Sequence, residues 1–124
     1  MGRLPFDPGK MKSTRSARAP EPPDRPLRVS ELAAGIDAAL KARYPGTIRV
    51  VGEVSGLRER THLYFDLKDE NAVLGCVMFA SAARRSREPF DNGSKLIASG
   101  RLDFYAPSGR VSLIVDRVEL AGLG

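Results

Sequence analysis

Four carboxylates in this 124-residue chain are the first candidates for chemistry: Glu53, Asp66, Asp69 and Glu70. Asp66-Leu67-Lys68 has the acid-x-Lys form found in some metal-dependent nucleases. Such enzymes need several carboxylates converging on one point. Here Asp69 and Glu70 read as an acidic turn, and a triplet this short recurs by chance. The single cysteine, Cys76, excludes an internal disulfide, and with the single histidine, His62, it cannot complete a tetrahedral zinc site. No Gly-Lys-Ser/Thr loop is present to cradle a phosphate. The residues point away from catalysis, and no cofactor or metal is expected.

A second set of residues suits binding. Arg58 and Arg60 precede the stretch His62-Leu63-Tyr64-Phe65-Asp66-Leu67-Lys68. If Leu63, Phe65 and Leu67 face a core, strand alternation turns His62, Tyr64, Asp66 and Lys68 outward. An outward tyrosine beside His and Lys is costly surface unless it meets a partner. Phe79 offers a second ring, Arg84, Arg85 and Arg87 follow it, and Arg101 lies further on. Rings stack on bases and guanidinium groups meet phosphates, which is the chemistry a single nucleic-acid strand requires. Each element has a plainer reading. Phe79 could be core, Tyr64 could pack under a helix, and the Arg run could be a solvated helix face. His62 is expected to hydrogen-bond at the surface rather than to catalyse.

The elements that must position these residues follow from periodicity. Val29, Leu32, Ile36, Ala39 and Leu40 recur at helical spacing after a Ser30 cap, with Asp37 and Lys41 paired on the outside. Pro45-Gly46 ends the helix. From Thr47 the period becomes two. Ile48, Val50, Gly52 and Val54 share one face of a first strand, and Leu63, Phe65 and Leu67 one face of a second. A third covers about 72–80, its facing left open between two apolar sets. Leu96, Ala98, Gly100, Leu102 and Phe104 mark a fourth; Val111, Leu113, Val115 and Val118 mark a fifth whose alternation slips near Arg117. Ser81–Glu88 reads as a short helix, and Asp91-Asn92-Gly93 and Pro107-Ser108-Gly109 as turns. Five short strands with a helix between the third and fourth predict an all-β Greek-key barrel of the OB type, with an N-terminal α-helix; an open sheet is the rival.

The net charge is +5. Residues 1–26 hold six Lys/Arg against three Asp/Glu, and six of the nine prolines. Such a segment buries too little apolar surface to offset its conformational entropy, so it reads as a disordered basic tail before a domain at 27–124. No apolar run reaches the length of a membrane span and no signal peptide is apparent, so the chain is expected in the cytoplasm with no membrane partner.

Ordered motifs across residues 27–124 resemble the exodeoxyribonuclease VII large subunit. They are Leu27-Arg28-Val29-Ser30-Glu31-Leu32, Gly52-Glu53-Val54-Ser55, the whole run from His62 to Glu70, and Cys76-Val77-Met78-Phe79. Ala83-Arg84-Arg85, Gly100-Arg101, Tyr105-Ala106-Pro107 with Gly109, and Ala121-Gly122-Leu123-Gly124 complete them. The resemblance implies an OB domain that grips single-stranded DNA, ahead of a region that cuts it and a helical region that recruits small subunits. Those two regions have no counterpart in this sequence. The expectation is therefore single-stranded DNA binding without cutting and without a small-subunit partner; RNA stays open, as does a stand-alone assembly module. The candidate interface is Arg58, Arg60, His62, Tyr64, Lys68, Phe79, Arg84, Arg85 and Arg101, with Tyr105 from the matched turn. Departures at a short Leu57–Thr61 loop containing Glu59, at Gly75 and at Ser108 remove positive charge, so weaker binding than in typical members is expected.

Overall fold

A computed structural model of the chain describes residues 24–86 and 88–122. Its elements are α1 (Val29–Arg43), β1 (Ile48–Glu59), β2 (Leu63–Lys68), β3 (Val73–Met78), α2 (Ala80–Arg85), β4 (Lys95–Tyr105) and β5 (Arg110–Leu120). The five strands close into a barrel in the order β1-β2-β3-β5-β4. All neighbours are antiparallel except β3 and β5, whose short parallel pairing seals the barrel. Closure removes the unpaired edges an open sheet would expose. The expected tail falls on residues that, up to position 23, lie outside the described ones. Among the described residues no helix is long and apolar enough to cross a membrane.

The period-two pattern builds the core. Val54, Phe65, Leu67, Cys76, Met78, Leu96, Ala98, Leu113, Val115 and Val118 point inward and are buried, with Ala82 of α2 plugging one end. Burying one large side chain such as Phe65 or Leu113 contributes roughly 2–3 kcal/mol. The third strand's facing is thereby resolved: Cys76 and Met78 face in, while Val73, Gly75 and Val77 face out.

Two irregularities shape the barrel. In β1 the register jumps from Ser55↔Asp66 to Arg58↔Tyr64, so Gly56 and Leu57 together oppose Phe65. Gly56 takes a φ of 62°, a conformation that strongly favours glycine. The bulge keeps Leu57 against the core and turns Arg58 to the outer face. In β5 the register jumps from Ser99↔Arg117 to Gly100↔Val115, leaving Asp116 as the extra residue. This is the slip the sequence pattern shows near Arg117.

The turn at 91–94 fills the place where β1 leaves β4 for β2. Val54 N–H donates to the Ser94 carbonyl, Gly93 N–H to the Val54 carbonyl, and Leu57 N–H to Asn92 Oδ1, at 2.9, 2.8 and 2.9 Å.

The N-terminal helix differs from expectation at both its cap and its face. It begins at Val29, so Ser30 lies inside the first turn and Arg28 is the cap residue. Glu31 does the capping from the third position, accepting the Arg28 N–H at 2.8 Å. The Arg25 guanidinium and that N–H together hold the Glu31 carboxyl below the usual carboxylate range. Of the helical stripe, Val29 is 85% and Leu32 is 52% exposed, and Ala33 is the buried residue of α1. The helix touches the barrel along β4 only in part, so its apolar stripe is not a core face. Strand three and the second helix are each shorter than expected, because Phe79 ends β3 by becoming the cap of α2.

Candidate nucleic-acid interface

Strand register sets the interface. Directly paired residues on neighbouring strands share a face, so the pairings can be followed across the sheet. Arg58 on β1 opposes Tyr64 on β2, Tyr64 opposes Val77 on β3, Val77 opposes Ile114 on β5, and Ile114 opposes Arg101 on β4. One outer row therefore reads Arg–Tyr–Val–Ile–Arg: a ring and two aliphatic groups between terminal guanidinium groups. Arg58 Cζ lies 5.9 Å from the Tyr64 ring centroid, within cation–π range. Its Nη1 donates to the Gly56 carbonyl at 2.7 Å, which fixes the guanidinium beside the ring.

The next row is polar: Ser55, Asp66, Gly75, Ser112 and Asp103. Beyond it Lys68 opposes Val73 and Glu53, and Tyr105 opposes Arg110. The structure thus brings Arg58, Tyr64, Lys68 and Arg101 onto one sheet face. Arg58 reaches it from β1 itself; the expectation of a loop position is corrected, because the bulge extends β1 to Glu59. The connection to β2 is only Arg60-Thr61-His62.

The remaining candidates divide. His62 and Phe79 form an edge-to-face pair, centroids 4.8 Å apart, where β2 and β3 meet α2. His62 Nδ1 accepts the Ala80 N–H at 3.1 Å, satisfying one of the orphan donors that open α2. Its hydrogen-bonding role is therefore structural. Phe79 is 42% exposed and is not core. Arg60 and Arg84 line an open cleft of about 770 Å³ with His62, Leu63, Met78 and Phe90. Arg85 turns to another wall, 3.9 Å from Asp116 and near Arg117. Tyr105, 58% exposed, stands at the far tip of the β4–β5 hairpin. Arg110 went unnoticed in the sequence; its pairing with Tyr105 across the turn at 107–109 is the signal that finds it.

The carboxylates do not gather. Asp69 Oδ1 accepts the N–H groups of Asn71 and Ala72 at 2.8 and 3.0 Å, so Asp69 organises the β2–β3 turn. Asp66 instead lies on the sheet face. Among the described residues no three His, Cys, Asp or Glu side chains group as a metal site. Burial pushes the Cys76 thiol up to about 12, with the Asp66 charge adding to it, so the thiol stays protonated and unreactive.

A closed five-stranded barrel whose outer face carries Tyr64 between Arg58 and Arg101 fits an oligonucleotide-binding class of domain. Residues 27–119 match the family described as an OB-fold nucleic acid binding domain, and the chain belongs to it. The exodeoxyribonuclease 7 large subunit of Ligilactobacillus salivarius is 42% identical over 82 residues, covering 65% of this chain and 18% of the relative. That of Campylobacter hominis is 40% identical over 101 residues, covering 79% and 26%. That of Rhodopirellula baltica is 33% identical over 117 residues, covering 93% and 26%. This chain thus spans about a quarter or less of the relatives it matches. Among solved structures, a replication protein A heterotrimer bound to ssDNA has a TM-score of 0.52 at 15% identity, covering 63% of this chain and 59% of that one. Yeast Stn1 and Ten1 give a TM-score of 0.55 at 16% identity, covering 75% and 57%. These two likenesses share the fold.

Proposed function

We propose that the chain binds single-stranded DNA across the outer face of β2, β3 and β5. In this reading it serves as the substrate-gripping domain of a protein like the exodeoxyribonuclease VII large subunit, whose whole activity would be degradation of single-stranded DNA to oligonucleotides. The observation that carries it is the row from Arg58 through Tyr64, Val77 and Ile114 to Arg101. Tyr64 supplies a stacking plane worth on the order of 1–3 kcal/mol per base, and the terminal guanidinium groups meet phosphates on either side. Asp69 is occupied by its turn, and in this reading the chain contributes grip rather than a cutting centre.

Fluorescence anisotropy with a labelled single strand tests it, using duplex DNA and single-stranded RNA as competitors. Binding that single-stranded DNA displaces and duplex does not is the expected result. Equal affinity for duplex, or Tyr64→Ala and Arg101→Ala binding like wild type, defeats it. Displacement by RNA as strong as by DNA would move the substrate class to single strands in general.

A second reading, an assembly module, rests on Val29 and Leu32, apolar and exposed on α1. Light scattering decides it: a monomer at high concentration that captures no partner counts against that reading.

A further inference from the structure

Asp66 occupies a distinctive place on the sheet face, opposite Gly75 and Ser55. It sits half-buried on a face that carries Arg58, Lys68, Arg101 and Arg110, with Glu53 opposite Lys68 and Asp103 at the far end of its own row. The ion pairs among the described residues join Arg25 to Glu31, Lys41 to Asp37, Arg49 to Glu119 and Arg85 to Asp116, and Asp66 is in none of them. Its closest basic neighbour on the face, Arg58, is turned to the Gly56 carbonyl and the Tyr64 ring. An unpaired carboxylate on a surface that receives a polyanion costs affinity at every phosphate nearby.

Two glycines flank that carboxylate. A Cβ on Gly75 would stand 3.8 Å from Asp66 Oδ1, and one on Gly56 would stand 3.3 Å from Oδ2. Neither atom exists: Oδ1 faces the open Gly75 floor, while the space over Gly56 beside Oδ2 is shared with Arg58 Nη1, 3.4 Å from that same Cβ position. Gly75 forms a floor between Asp66 and Ser112, and Tyr64 lies two residues along the same strand, roughly 6.6 Å away at strand rise. A base stacked on Tyr64 would project its edge over Gly75, toward the carboxylate.

Building on the proposed single-strand binding, we infer that Asp66 over the Gly75 floor reads the Watson–Crick edge of guanine. An ionised carboxylate only accepts hydrogen bonds, through two oxygens side by side. Guanine offers two adjacent donors on that edge, N1–H and the 2-amino group. Cytosine and adenine each offer one amine beside an acceptor nitrogen, and thymine offers one N–H between two carbonyls that oppose the carboxylate. Guanine alone satisfies both oxygens at once, offsetting the repulsion its neighbours on the strand suffer. Ser112, on the far side of the floor, is placed to meet the same base.

The test uses short labelled oligothymidines in which the central residue is dT, dG, dI, dC or dA, measured by anisotropy with the full chain. A single dG is expected to tighten binding about tenfold over all-dT, within the discrimination a bidentate side-chain–base pair gives. Inosine, which lacks the 2-amino group, should lose most of that gain. Asp66→Asn should abolish the preference while binding all-dT at least as tightly as wild type, since a repulsive charge is gone. Gly75→Val, which fills the floor, should abolish the preference without restoring charge. Equal affinities for dG, dI and dT strands, a stronger preference for dC, or a dG preference that survives Asp66→Asn would overturn the inference. Failure of every strand to bind would overturn the proposed function and this inference with it, whereas uniform binding overturns the inference alone.

Discussion

Replacing Gly100 by alanine puts a methyl carbon where β5 already runs. The added Cβ would sit 2.1 Å from the Ile114 carbonyl oxygen, 2.8 Å from its carbon and 3.0 Å from Val115 Cα. All three are backbone atoms, so no side chain can swing aside. Non-bonded carbon contacts are comfortable near 3.5–4.0 Å, so β4 and β5 must separate by about 1 Å. The site adjoins the bulge at Asp116, where β5 already departs from regular pairing. Overpacking typically costs 1–3 kcal/mol, and a lost ladder hydrogen bond about 1 more. The expected loss is about 3 kcal/mol. The chain has no tryptophan, so far-UV circular dichroism in urea is the assay. With a denaturant slope of about 1.5 kcal/mol/M the midpoint should fall by about 2 M. Gly75→Ala is the control, because its Cβ meets nothing closer than 3.8 Å and it should stay within about 1 kcal/mol of wild type. A Gly100→Ala midpoint that matches wild type would refute the reasoning.

His62→Ala removes the acceptor for the Ala80 N–H and should lower stability by about 1 kcal/mol, read from the same urea transition. Arg85→Ala should change affinity for single strands less than Arg101→Ala does, because Arg85 stands on a separate wall beside Asp116; titration of both variants decides it. Cys76 should resist a thiol-specific reagent at pH 8 until urea unfolds the chain. Its folded value, about 12, lies above the ordinary 9.0, so its contribution to stability is complete below pH 9 and is lost as pH rises toward 12. Melting curves over that range should fall less steeply for Cys76→Ala than for wild type.

The barrel was legible because its inner faces alternate everywhere except at the two bulges. Leu63, Phe65 and Leu67, or Leu96, Ala98 and Gly100, announce both a strand and its facing. Tyr64, Lys68 and Arg101 followed from the same alternation. Arg58 did not, since the Gly56 bulge adds a residue to β1 and reverses the facing beyond it; no period-two count crosses such a point correctly. The α1 stripe misled for a different reason. Helical spacing shows that Val29 and Leu32 could share a face but not that anything covers it. The pairing of Tyr105 with Arg110, and the placement of Asp66 between two glycines, depend on register between strands distant in sequence.

The salt dependence of single-strand affinity tests the central claim most directly. Four cations frame the face, Arg58, Lys68, Arg101 and Arg110, and each phosphate contact contributes about −0.7 to the slope of log affinity against log salt. Wild type should therefore show a slope of about −3. Arg101→Ala should flatten it by about 0.7. Tyr64→Ala should weaken binding roughly five- to hundredfold while leaving the slope unchanged, because it removes a stack and not a charge. A slope near zero, or a Tyr64→Ala affinity equal to wild type, would contradict a grip on single strands at this face.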